Sequence, residues 1–100
     1  MSTPAAAAPG GRERDLLFLR QPRLWPNWPF LALVRRRPGR DEELGLLFDA
    51  GGAAGLYGYS STVWLSNLFL IPATLEEFLA LPKETFDTPE EIADASWSVD

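Results

Sequence analysis

Carboxylates are the acid–base groups this sequence supplies in number, arranged as the adjacent pairs Glu42-Glu43, Glu76-Glu77 and Glu90-Glu91. Paired carboxylates can cleave glycosides or hold Mg2+. Here each pair has a simpler use. Glu76-Glu77 and Glu90-Glu91 complete the pattern Thr-x-x-Glu with Thr74 and Thr88, the capping box that opens a helix, and acids in a first turn suit the helix dipole. Glu42-Glu43 faces an arginine run across a turn. There is no histidine, no cysteine and a single lysine, so the usual general base and the thiolate nucleophile are missing. Ser60, Ser61 and Thr62 have no activating neighbour in the sequence. The expectation is a protein that is not an enzyme, with no cofactor and no bound metal.

Two other groupings could act by contact. Arg35-Arg36-Arg37 and Arg40, with aromatic residues nearby, are the ingredients of a basic stacking groove for nucleic acid. Tyr57 and Tyr59 flank Gly58 in a glycine-rich stretch and read either as a core edge or as an exposed contact pair; aromatic side chains on such loops are favoured binding anchors. Tyr57, Tyr59 and Trp64, rimmed by Arg36 and Arg40, form the candidate partner-binding site. The preferred reading is a non-catalytic protein-interaction module or small subunit of an assembly, contacting a protein partner or a second copy. The alternative is a nucleic-acid-binding domain using Arg35, Arg36, Arg37 and Arg40.

Charge distribution decides between these. Residues 1–40 hold eight arginines against Glu13 and Asp15, a net +6, while residues 41–100 hold only Lys83 against twelve acids, a net −11. Such segregation can mark a basic arm, but it reads more simply as two halves that neutralise each other within the fold.

These residues need elements to position them. The most apolar stretch, Thr62 to Pro72, is expected to be a central strand over 62–71, rich in residues suited to a pleated, half-buried surface. Ser66 and Asn67 suggest a bulge within it, with Val63 and Leu65 inward before it and Leu68 and Leu70 inward after it. Residues 30–49 read as a hairpin around Pro38-Gly39. A loop from Pro38 to Asp41 sets Leu33 opposite Leu46 and Leu31 opposite Phe48, whereas a tighter turn shifts the register by two. Either way Leu31, Leu33, Leu44, Leu46 and Phe48 share one face and arginines meet acids near the turn. Short helices are expected at 75–81 and 89–95, followed by a short C-terminal strand with Trp97 and Val99 inward.

The predicted architecture is therefore α+β, a small antiparallel sheet of three to four strands with two short helices covering one face. Residues 16–19 fit a strand or a helical turn equally well. The Pro22, Pro26 and Pro29 segment is an extended loop whose Trp25 and Trp28 are either lids on the core or a ligand platform. Asp49 to Ser61 reads as a loop turning at Gly51-Gly52, without the Gly-Lys-Ser/Thr ending of a phosphate-binding loop. Residues 1–11 are expected to be a disordered tail and 12–100 a single domain. No apolar run approaches the roughly 20 residues a membrane span requires, and nothing resembles a secretory signal, so a cytoplasmic location is expected.

Overall fold

The computed structural model describes residues 11–100, so the expected tail lies outside the described residues except for Gly11. Chain order is α1 (Arg12–Arg20), a 3-10 turn (Pro22–Leu24), β1 (Phe30–Arg35), β2 (Glu43–Phe48), α2 (Ala50–Ala54), β3 (Thr62–Trp64), α3 (Leu75–Leu79), β4 (Lys83–Thr85), α4 (Pro89–Asp94) and β5 (Trp97–Val99). The strands form one antiparallel sheet in the order β4-β3-β2-β1-β5. The fold is α+β, as expected, with an added strand β4.

The hairpin forms, but its register is displaced by one from both expected pairings: Leu33 lies opposite Gly45 and Leu31 opposite Leu47. A slip of one residue moves side chains to the other face. The expected single apolar face is therefore divided. Leu31, Leu33 and Leu47 join Val63, Trp97, Leu19, Trp25 and Ile92 in one core, under α1 and α4. Leu46, Phe48, Trp64, Ala50 and Phe78 form a second core on the opposite face, beneath α3. The slip is tolerated because helices cover both faces, contrary to the expected one-sided layer. Leu44, at the open end of the second face, is exposed.

Gly45 explains the chosen register. A Cβ there would sit 2.7 Å from Val63 Cγ1 and 3.0 Å from the Trp97 ring, two buried side chains with little room to retreat. Only the absent side chain lets the Trp97 indole lie across the central strand β2.

The expected central strand 62–71 shrinks to Thr62–Trp64, and it is β2 that occupies the centre. Ser66 and Asn67 form a turn instead of a bulge. The Ser66 N–H donates to the Trp64 carbonyl, the Asn67 side-chain oxygen accepts from the Phe69 N–H, and the Leu70 N–H donates to the Asn67 carbonyl. Leu68 packs against the second core, but Leu65 and Leu70 are exposed, because the chain leaves the sheet at Leu65.

Residues 16–19 lie in helix α1. Its Asp15 is buried, and the Asp15 carboxylate accepts the N–H of Val99 at 3.1 Å, capping an outward amide of edge strand β5. Trp25 proves to be a core lid: it is buried and its indole N–H donates to the Phe18 carbonyl at 2.7 Å. Trp28 is half exposed, with its indole N–H on Asp49 Oδ2. The expected Asp49–Ser61 loop begins with helix α2. Its Gly51-Gly52 pair is helical because the Asp49 carboxylate accepts the Gly52 N–H and Gly55, at φ +67°, closes the C-terminus.

The two capped helices are shorter than expected, Leu75–Leu79 and Pro89–Asp94, but the caps are in place. Thr74 Oγ1 accepts the Glu77 N–H and Thr88 Oγ1 the Glu91 N–H. The return contacts differ from a simple capping box: Glu77 accepts the Thr74 hydroxyl, and Glu91 reaches one residue further back to the Asp87 N–H.

Thr74→Ala and Thr88→Ala are each expected to lower unfolding free energy by about 1 kcal/mol in urea titrations. Gly45→Ala is expected to cost about 1–3 kcal/mol by overpacking the site of the Trp97 ring, measured the same way. Unchanged stability for Gly45→Ala would mean that Val63 and Trp97 yield freely.

Candidate functional site

The five residues expected to form a partner-binding site do not come together. Arg36 and Arg40 belong to the hairpin tip, whereas Tyr57 and Tyr59 belong to the segment entering β3 at the other end of the sheet. Strands of six residues separate these ends by about 20 Å. Trp64 is completely buried, in edge or tilted contact with Phe48, Tyr59 and Phe78, and so presents no surface to a partner. Tyr59 is half-buried against it. Gly58, at φ +91°, turns the chain between the two tyrosines, and Tyr57 is left 89% exposed.

The arginine run is absorbed by the fold. Arg35, 5% exposed, donates two hydrogen bonds to Glu43 and two to Glu84, at 2.8 to 3.1 Å. Its guanidinium carbon lies 4.2 Å from the Trp97 ring centroid, and the Trp97 indole N–H donates to Glu84 Oε1. Arg37 also bonds Glu43, and Arg36 bonds Glu42. Every ion pair among the described residues joins an arginine of residues 12–37 to an acid of residues 42–94. The segregated charges thus meet inside the fold. Of the four arginines in the alternative reading, Arg35 is buried among carboxylates and Arg37 is half-buried against Glu43, whereas Arg36 keeps an exposed pair with Glu42 and Arg40 is exposed.

What the surface does offer is apolar. The turn at Ser66–Leu70 is fixed by the hydrogen bonds described above and by Ser66 Oγ donating to the Leu70 carbonyl. From this braced turn Phe69 projects 95% exposed and Leu70 66% exposed. Phe69 borders a shallow depression of about 90 Å³ against Ala32 and Leu44 of the sheet, edged by Asn67 and Asp100. This is the open end of the second face, beyond the reach of α3. Sequence reasoning missed it because the strand reading of 62–71 turned Leu70 inward; the Ser-Asn pair, a turn signal, was the feature that could have exposed it.

The Arg35 cluster also fixes an acid response. Hydrogen bonding from Arg35, opposed by burial, brings the Glu43 carboxyl down to about 2, and the same contact lowers that of Glu84. Depressed carboxyl groups stabilise the fold above their unfolded value near 4.5, and that contribution is lost as pH falls toward the folded value. The melting temperature is therefore expected to hold steady down to about pH 5 and to decline below it. Glu84→Gln should flatten that decline while lowering stability at neutral pH, and an equally steep decline in the variant would place the acid sensitivity elsewhere.

No helix among the described residues is long and apolar enough to cross a membrane. No family model, curated protein or solved structure matches this chain.

Proposed function

We propose that this chain is a non-catalytic protein-interaction module acting in the cytoplasm, and that its contact surface is the Phe69-Leu70 turn with the neighbouring Leu44. The observation that carries the reading is the exposure of a phenylalanine and a leucine on a turn held by four hydrogen bonds. Hydrophobic side chains scattered singly on a surface need no explanation, but a braced aromatic beside an apolar depression has the features of an interface anchor. Because the turn is already ordered, a partner meets little additional ordering cost there. The partner is another protein or a second copy of this chain. Tyr57 is a separate exposed aromatic, too distant to belong to the same contact.

The test is the double variant Phe69→Ser/Leu70→Ser. Its melting temperature should match the parent, since neither side chain enters a core. Association should weaken on the order of 30-fold, the loss typical of a central hydrophobic anchor. Sedimentation reads self-association, and quantitative co-purification from host extract reads a different partner. Undiminished association, or a variant that fails to fold, would overturn the assignment.

A further inference from the structure

At the other end of the sheet, the C-terminus of α1, the start of α2 and the glycine-rich segment 55–61 enclose a half-open cleft of about 480 Å³. Its walls include Leu19, Trp25 and Leu47, which close the first core from below, and Tyr57 stands at its side. A cleft of this size, lined by apolar and polar groups in comparable measure, has the proportions of a small-molecule site.

Its charges are unequal. Arg20, the cationic side chain lining the cleft, is already paired with Glu90. Asp49 and Asp87 also line it, and neither has a cationic partner among the described residues. The Asp49 oxygens are held by neutral donors, the Trp28 indole N–H and the Gly52 N–H, which fix the carboxylate without cancelling its charge. The Asp87 carboxylate accepts no hydrogen bond among the described residues, although its backbone N–H is tied to Glu91. The cleft therefore combines aromatic and aliphatic walls with two carboxylates whose charge is uncompensated.

We infer that this cleft binds a small organic cation, an amine carried on a flat hydrophobic body. The ammonium group would bond Asp49 and Asp87 while the body lies against Trp25 and Leu47 beneath Tyr57. Desolvated ring and aliphatic surface would contribute affinity, and the charge-assisted hydrogen bonds would supply the selection for a cation. An anion would meet two carboxylates and one arginine already paired with Glu90. This site lies at the opposite end of the sheet from the Phe69 turn, so the two assignments stand or fall separately.

Three probes that share one ring system distinguish the idea: tryptamine, its neutral alcohol counterpart tryptophol, and indole-3-acetate. Binding to the full chain is measured by titration calorimetry and by two-dimensional amide NMR. Tryptamine should bind about tenfold or more tightly than tryptophol, the worth of a charge-assisted hydrogen bond, and indole-3-acetate should bind weakest. Its shifts should fall on residues 47–61 and 87–89. Asp87→Asn, at an exposed position, should reduce tryptamine affinity and leave tryptophol affinity and the melting temperature unchanged. Asp49→Asn keeps one acceptor oxygen, for either the Gly52 N–H or the Trp28 indole, and should also reduce tryptamine affinity. Equal binding of the three probes, no binding of tryptamine, shifts confined to other residues, or tryptamine affinity indifferent to both substitutions would each overturn the inference.

Discussion

The Arg35 guanidinium is the one group in contact with nearly every part of this sheet. It projects from β1, is gripped by Glu43 of β2 and Glu84 of β4, and lies over Trp97 of β5, whose ring in turn rests where Gly45 leaves β2 bare beside Val63 of β3. Four of the five strands thus meet at one cation, and β3 packs beside them through Val63. Removing water from such a charge is costly, and the cost is offset only when geometry and hydrogen bonding are good. Here two carboxylates are bidentate and the flat face is covered by an indole. The cluster therefore specifies as much as it stabilises: an arrangement that shifted one strand would leave a buried charge unpaired.

That constraint accounts for the hairpin register. With both faces of the sheet buried, hydrophobicity alone tolerates either parity, since Leu31 and Leu33 find one core and Leu46 and Phe48 the other. Arg35 opposite Glu43 and a glycine beneath Trp97 are satisfied together in only one pairing. Polar specificity here resolves a choice that apolar patterning leaves open.

Local contacts were legible in the sequence, and contacts between distant segments were not. Capped helices were legible because Thr74 and Thr88 act locally, on amides three residues away. The α+β class, the hairpin and the final strand followed from short-range patterns as well. Register was not legible, because it depends on Trp97 and Glu84, far along the chain. Strand β4 escaped notice because Lys83-Glu84-Thr85 has no apolar signal of its own, Glu84 being inward to meet Arg35 and the Trp97 indole. Helix α2 was hidden by glycines that a side-chain cap makes tolerable. Of the expected contact residues, Tyr57 is exposed and Tyr59 lies at the core edge, one outcome for each of the two readings, whereas Trp64 looked exposable only because α3 and Phe78, which bury it, could not be placed over it.

The position of β5 has a consequence for how the protein is made. Its Trp97 and Val99 pair with β1, and Asp15 of the first helix closes on the Val99 amide across 84 residues of sequence. Contacts between distant segments are slow to form, and during synthesis the early segments must wait for the late ones. Until the ribosome releases residues 97–99, α1 lacks its seat, β1 has a bare edge and Arg35 lacks the indole that covers it. The nascent chain would then hold a β1–β2 hairpin with one unpaired edge, awaiting β5.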